Sequence, residues 1–143
     1  MKRFLMLAFA AALSMSVSAC QDSTNPSAVL SGTYTLQTIG GQTPPVPVYA
    51  DPQGTTELVG AYIRINRDGT FIDVLTYRDT PTGGVPGPTY DRETDGTWSL
   101  SGNTLEFTDV LNPQNYYYAN VSGGQLVMPY YVSGTSYTMV YAK

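Results

Sequence analysis

Beyond residue 28 the chain alternates between apolar and polar residues with a period of two, and short clusters of Gly, Asn, Asp and Pro interrupt the alternation. This pattern predicts β-strands joined by turns, because successive side chains of a strand point to opposite faces. Eight antiparallel strands in an up-and-down meander are enough to close into a barrel, which removes the sheet edges. The predicted strands are residues 32–39, 57–66, 70–78, 89–100, 104–109, 115–122, 125–131 and 136–142.

A turn at residues 66–69 determines which residues of the second and third predicted strands face each other. A type I turn with Gly69 at positive φ places Asp73 opposite Ile63 on an otherwise apolar, inward face. The apolar members of that face are Val59, Ala61, Ile63, Ile65, Phe71, Leu75 and Tyr77. Asp73 would then be an internal carboxyl group with a raised pKa and could anchor a ligand. The alternatives are an error in the register or a position at the wet rim.

A weak repeat, apolar–Ser–Gly–x–polar–apolar, occurs at residues 100–105, 121–126 and 132–137. Each copy predicts a hairpin with a two-residue loop, because Gly and Asn tolerate the positive φ that such loops require. The predicted loops are Gly102-Asn103, Gly123-Gly124 and Gly134-Thr135. The first hairpin pairs Trp98 with Phe107, and the third pairs Tyr130 with Met139. A glycine within the strand at 89–100 predicts a bulge at Asp95-Gly96.

Residues 40–54 contain four prolines, which argues against a central strand because proline cannot donate to a sheet ladder. The segment nevertheless carries Val46, Val48 and Tyr49, which is unusually apolar for a free loop. We therefore predict a polyproline II-like cover over one end of the sheet. A lid over a ligand mouth is the alternative interpretation.

The N-terminus has a basic start, Lys2-Arg3, followed by an apolar run at residues 4–17. The run is shorter than the roughly 20 residues of a membrane span, and it is typical of a secretory signal. Val17-Ser18-Ala19-Cys20 resembles a bacterial lipobox, which implies a lipoprotein signal peptide at residues 1–19 and acylation of Cys20. The alternative is an ordinary signal peptide with an unrelated cysteine at its end.

The residues after Cys20 predict how the domain is held at the cell envelope. Residues 20–29 are interpreted as a lipidated N-terminus and flexible tether, since they are rich in Ser, Asn, Asp and Pro. The acyl chains would bind the membrane. Gln21 directly after the cysteine favours the outer membrane over the inner membrane, and Asp22 leaves that assignment open.

Composition narrows the chemistry available to the protein. Without Lys2 and Arg3 the chain carries five basic and eleven acidic residues, which argues against nucleic acid as a partner. It has no histidine and one cysteine, which excludes His- or Cys-based zinc sites, Ser-His-Asp triads and internal disulfides. The alternating Asp91, Glu93 and Asp95 are interpreted as a solvated outer face. We therefore expect no catalytic residues, no metal and no cofactor.

Several short motifs, taken in order, resemble the small bacterial lipocalin-like lipoproteins over about residues 30–143. They are Gly32-Thr-Tyr-Thr-Leu36, Asn66-Arg-Asp-Gly-Thr-Phe71, Gly96-Thr-Trp98, Ser101-Gly-Asn-Thr-Leu105 and Tyr137-Thr-Met-Val-Tyr141. The resemblance implies an all-β, calycin-type up-and-down barrel over residues 30–143, carried on a lipid anchor. It carries over no catalytic residues.

Two functions are compatible with these observations. The first is a non-enzymatic envelope lipoprotein whose barrel holds a small apolar or aromatic ligand. Tyr34, Tyr77, Trp98 and Phe107 would line the cavity and Asp73 would be its polar anchor. The second is a structural or interaction module with a filled core, which contacts protein or glycan through the tyrosines at 116–118 and 130–131.

Overall fold

The computed structural model describes residues 26–143, which form one short helix and nine strands. Cys20 and the predicted signal peptide at residues 1–19 lie outside the described residues. The elements are α1 (Pro26–Leu30), β1 (Gly32–Ile39), β2 (Val46–Asp51), β3 (Gly54–Ile65), β4 (Thr70–Pro81), β5 (Thr89–Ser101), β6 (Thr104–Asp109), β7 (Tyr116–Ser122), β8 (Gln125–Val132) and β9 (Thr135–Ala142).

The strands form one antiparallel sheet that closes on itself. Consecutive strands from β2 to β9 are neighbours, β9 pairs with β1, and β1 also pairs with β3. Strand β1 therefore closes an eight-stranded barrel with β3–β9, and β2 is an additional strand on β3. The predicted all-β, up-and-down barrel of eight strands is confirmed.

Residues 40–54 differ from the prediction, because they contain β2 rather than a polyproline II-like cover or a lid. β2 pairs with the first part of β3, whereas β1 pairs with the last part of β3. Pro47 is tolerated because β2 is an edge strand that pairs only with β3. On its other side there is no strand that would need a hydrogen bond from the missing N–H. Val46 and Val48 point inward and are buried, while Pro47 is exposed.

The predicted turn at residues 66–69 is confirmed, and so is the register of the β3–β4 pair that it connects. Gly69 has φ 87°, and Ile63 faces Asp73 in the β3–β4 pair. One inward position was wrong, because a bulge between Leu58 and Gly60 shifts the register. Leu58 therefore faces Tyr77 from inside the barrel, and Val59 is only half-buried.

Two of the three predicted hairpin loops are confirmed, at Gly102-Asn103 and Gly123-Gly124. The third was wrong, because Val132 pairs with Thr135 and the loop is Ser133-Gly134. Tyr130 consequently faces Tyr137 rather than Met139. The two registers differ by two residues, so both keep the apolar side chains on one face and the pattern cannot separate them.

The predicted bulge at Asp95-Gly96 was also wrong, because β5 pairs with β4 without a register shift. Gly96 instead allows close contact between strands. A Cβ atom on Gly96 would overlap the carbonyl oxygen of Thr108 and would lie 3.0 Å from Cε1 of Phe71. With no bulge, Tyr90 and Arg92 share the inner face of β5 with Gly96.

The interior of the barrel is filled by side chains. Phe71 and Phe107 meet edge to face with ring centroids 4.8 Å apart, and Phe107 stacks on Tyr117 at 5.2 Å. The largest fully buried side chains are Tyr34, Tyr141, Phe71, Phe107, Ile39, Leu58, Ile63, Ile65, Leu105, Leu126 and Met139. A ligand cannot occupy this level without displacing the core.

Helix α1 closes the end of the barrel beside the turn at residues 66–69. Leu30 is buried, and its carbonyl accepts a hydrogen bond from the Tyr34 hydroxyl at 3.0 Å. The Nζ atom of Lys143 donates to the carbonyl oxygens of Val29 and Ser31. The described end of the predicted tether, residues 26–29, is therefore part of this helix. Within residues 26–143 no helix has the length and apolar character needed to cross a membrane.

Candidate functional site

A pocket of about 180 Å³ lies at the mouth of the barrel, at the opposite end from α1. Strands β2, β3, β4, β5 and β8 contribute to its walls. We call it the mouth pocket, and its lining residues are Val48, Tyr49, Thr56, Tyr77, Tyr90, Arg92, Tyr130 and Val132. None of them is acidic and Arg92 carries the only charge, so the pocket is aromatic with one cationic group.

Two other depressions are less suited to a small apolar ligand. One adjoins the mouth pocket at the rim and is lined by exposed polar residues, including Asp51 and Asp79. Both carboxylates already accept hydrogen bonds from neighbouring groups. The other lies on the outer wall between β1 and β3, where Thr33 and Thr35 are exposed.

Cross-strand pairing brings the tyrosines of the mouth pocket together. Tyr77 and Tyr90 are direct neighbours in the β4–β5 ladder, and their rings stack with centroids 5.8 Å apart. Tyr130 reaches across from β8 and its hydroxyl lies 2.8 Å from that of Tyr77. Burial, and then the bond to Tyr130, raise the pKa of Tyr77 well above its usual value, so its hydroxyl stays protonated. One of the two hydroxyls donates its proton to the other. The second hydroxyl keeps a proton that it can donate to a ligand.

Arg92 occupies an inner-face position of β5 where the barrel wall is open. It faces Leu75 of β4, while β6 begins its pairing with β5 only at Gly96. The guanidinium carbon lies 5.7 Å from the centroid of the Tyr77 ring, within the range of a cation–π contact. Among the described residues Arg92 has no hydrogen-bond or ion-pair partner, whereas Arg78 pairs with Glu57 at 2.7 Å.

Asp73 lies on β4 between the aromatic core and Tyr77, and only 8% of its surface is exposed. The Tyr117 hydroxyl donates to Oδ2 at 2.9 Å, and Oδ1 has no hydrogen-bond partner in the described structure. Burial raises the pKa of Asp73 to about 6, although the Tyr117 hydrogen bond favours the charged form. Oδ1 is fully buried, so its desolvation is not offset by a hydrogen bond within the described residues.

The five residues predicted for a ligand cavity are spread from the mouth of the barrel to its closed end. Tyr77 lines the mouth pocket and Asp73 lies beneath it without lining it. Phe107 belongs to the packed core, while Tyr34 lies at the closed end beside α1. Trp98 lies near the same end, where its indole N–H donates to the carbonyl of Asn66 at 3.0 Å. A ligand-binding role for these residues stays a prediction.

Sequence reasoning did not assign Tyr49, Tyr90, Arg92 or Tyr130 to the ligand site. A usable signal existed for Tyr90 and Arg92, because uninterrupted alternation from Trp98 places both on the inner face. That signal did not depend on the predicted bulge, since an outer face formed by Asp91, Glu93 and Asp95 leaves the alternate residues Tyr90 and Arg92 facing inward. The acidic residues Asp91, Glu93 and Asp95 are exposed on the outer face, as the sequence predicted.

Comparison with known proteins identifies one family. The family model described as "Lipocalin-like domain" matches residues 30–128, which is more than half of the chain. The match extends from the end of α1 into β8 and ends before Tyr130 and Val132, the two β8 residues that line the mouth pocket. A comparison with curated proteins and one with solved structures found no match.

Proposed function

The chain belongs to the family of lipocalin-like domains, and from that premise we propose that it is a non-enzymatic protein that binds a small aromatic or apolar ligand. The observation that carries this proposal is the mouth pocket, where four tyrosines from four strands surround a cavity of about 180 Å³. Because the interior below is packed, the ligand sits at the mouth rather than in the centre of the barrel.

The chemistry of the mouth pocket indicates the size and kind of ligand. Pockets for drug-sized ligands are roughly 300–1,000 Å³, so this smaller cavity suits a compound of one or two rings. The rings of Tyr77 and Tyr90 offer faces for stacking, while Val48 and Val132 add aliphatic walls. The paired hydroxyls of Tyr77 and Tyr130 supply polar contacts that orient the ligand.

Replacing Tyr90 with Ala is expected to weaken binding of the uncharged probe naphthamide by about tenfold, because one stacking face of the pocket is lost. Tyr90 is 38% exposed, so its removal leaves the core intact. Isothermal titration calorimetry measures the change. Tyr131→Ala is the matched control, since Tyr131 is exposed and does not line the pocket. Equal effects of both variants, or none for Tyr90→Ala, would contradict the proposal.

We further propose that the protein is anchored to the cell envelope through acyl chains on Cys20, with the outer membrane favoured. The lipobox-like residues 17–20 support this. Five residues separate Cys20 from Pro26, where α1 begins. Since α1 closes the end of the barrel opposite the mouth pocket, the closed end would face the membrane and the mouth would open away from it.

Replacing Cys20 with Ser is expected to abolish lipidation and leave residues 1–19 attached, since the thiol that receives the lipid is gone. Intact mass spectrometry compares the two proteins expressed in the native host. The wild-type protein should lack residues 1–19 and carry the mass of acyl chains, which hold it in the membrane fraction. A wild-type protein that starts elsewhere, or that carries an unmodified Cys20, would refute the anchor. Gradient separation of the two membranes then tests the outer-membrane assignment.

One observation supports an interaction module as a second candidate function. Tyr116 and Tyr118 are exposed on β7 with ring centroids 5.7 Å apart, and Val110 and Leu111 are exposed in the preceding loop. Exposed tyrosines of this kind are common in contacts with protein or glycan. A photo-crosslinking residue at position 118, used in intact envelopes, tests this candidate. Recovery of no reproducible partner would eliminate it.

A further inference from the structure

We infer that the mouth pocket selects small aromatic ligands that carry one negative charge, and that Arg92 binds that charge. This inference rests on the proposed function, because it specifies the class of ligand for the same pocket. A carboxylate attached to a one- or two-ring aromatic body fits both parts of the site. The ring would lie between aromatic walls while the carboxylate meets the guanidinium group.

The position of Arg92 supports this assignment. Its guanidinium group lies over the face of Tyr77, so one part of the pocket joins a cation to an aromatic wall. Guanidinium groups offer a planar set of N–H donors that match the two oxygens of a carboxylate. Arg92 is exposed, and in the described part of the chain its donors have no protein acceptor, so a ligand carboxylate would replace water and would not break a contact within the protein.

The neighbouring acidic groups do not cancel the charge of Arg92. Asp79 is a rim carboxylate on this wall, and its Oδ1 accepts hydrogen bonds from Thr56 at 2.7 Å and Tyr90 at 3.3 Å. Asp79 does not line the mouth pocket and forms no ion pair with Arg92. Asp73 lies deeper, beneath the hydroxyl pair of Tyr77 and Tyr130. The ligand charge is therefore expected at the rim beside Arg92 and not at the bottom of the pocket.

The test compares three probes of similar shape and different charge: naphthoate, naphthamide and naphthylmethylamine. The purified full chain is titrated with each probe by isothermal titration calorimetry. We expect naphthoate to bind about tenfold more tightly than naphthamide, which is typical of one charge-assisted contact. Naphthylmethylamine, which brings a second cation to Arg92, should bind most weakly.

Three variants test whether Arg92 causes the preference for naphthoate over naphthamide. Arg92→Met keeps an unbranched apolar side chain and removes the charge, so naphthoate binding should fall about tenfold while naphthamide binding changes less than about twofold. Arg92→Lys should retain part of the preference, since the charge remains but the planar donor set is lost. Arg64→Met is the matched control, because Arg64 is exposed on β3 and does not line the mouth pocket.

The outcomes separate this inference from the proposed function. If naphthamide and naphthoate bind equally, or if Arg92→Met keeps the preference for naphthoate, Arg92 does not select the ligand and the inference is overturned. The proposed binding function then survives on naphthamide alone. Tighter binding of naphthylmethylamine than of naphthoate also overturns the inference, and Asp73 and Asp79 would then be the groups to test for binding of the ligand charge. If none of the probes binds, both proposals fail.

Discussion

Replacing Gly96 with Ala is expected to lower the free energy of unfolding by about 3 kcal/mol, at the upper end of the range for overpacked cores. Gly96 is buried on β5 between the Phe71 ring and the carbonyl of Thr108 on β6. A methyl group there overlaps the carbonyl oxygen, which belongs to the backbone and cannot rotate away. The β5–β6 pair must therefore separate or shift. Urea denaturation followed by Trp98 fluorescence measures the loss.

Gly60→Ala is the matched control for this prediction. Gly60 also lies within a strand, but a Cβ atom added to it would meet no atom within 4 Å, and its φ is not in the left-handed region. The same methyl group is expected to stabilise the protein by about 0.5 kcal/mol, because alanine loses less backbone entropy on folding. Equal destabilisation of both variants would show that a general intolerance of strand substitutions, and not the contact with Thr108, is responsible.

Asp73→Asn is expected to change how stability depends on pH. The pKa of Asp73 is raised from 3.8 to about 6 in the folded protein. The folded state therefore binds more protons than the unfolded state between these values, and wild-type stability falls as the pH rises through them. The interval between the two pKa values corresponds to about 3 kcal/mol of stability lost by pH 7. An uncharged asparagine side chain at this position does not incur that loss.

The measurement compares denaturation free energies of the wild-type and Asp73→Asn proteins at about pH 4, 5.5 and 7. The other titrating groups are common to both proteins, so the difference between them isolates residue 73. The variant should be nearly as stable as the wild type at the lowest pH and more stable at neutral pH. A difference that does not change with pH would contradict the raised pKa.

Tyr117→Phe supplies the complementary control for Asp73. It removes the hydroxyl that donates to Oδ2 and leaves the ring that packs on Phe107. The buried carboxylate then loses its one hydrogen bond, so the pKa of Asp73 should rise further and the loss of stability at neutral pH should become larger. A buried carboxylate with an unpaired oxygen weakens the fold, because the desolvation of that oxygen is not offset by a hydrogen bond within the described residues.

Much of the fold follows from local features of the sequence. The alternation of period two places Ile63 and Asp73 face to face, and Gly69 locates the turn between their strands. Gly102-Asn103 and Gly123-Gly124 locate two hairpins because few residues tolerate the φ values of tight loops. These interactions connect residues close in sequence, so the chain alone is enough to pair them.

Two errors in the predicted strands, at Pro47 and Gly96, share a physical cause. Pro47 argues against a strand when the segment is considered by itself, although an edge position leaves its missing N–H without consequence. Gly96 predicts a bulge by the same local reasoning, although its role is to let a backbone carbonyl approach. In both cases the deciding fact is the neighbour across the sheet, and that neighbour is set by barrel closure. The third hairpin differs, since its two possible registers keep the same residues inside.

Period and turn chemistry are local properties, so they are enough to predict an antiparallel β-barrel, most of its turns and the inward-facing position of Asp73. The burial of Asp73 follows from the packing around it. The lipobox-like residues around Cys20 remain a prediction from the sequence. Closure of the barrel, by contrast, places Phe107 in the core and brings Tyr77, Tyr90, Tyr130 and Arg92 together at the mouth. Residues on strands far apart in the chain reach the same level only through the tilt and stagger of a closed barrel, which alternation along one strand does not encode.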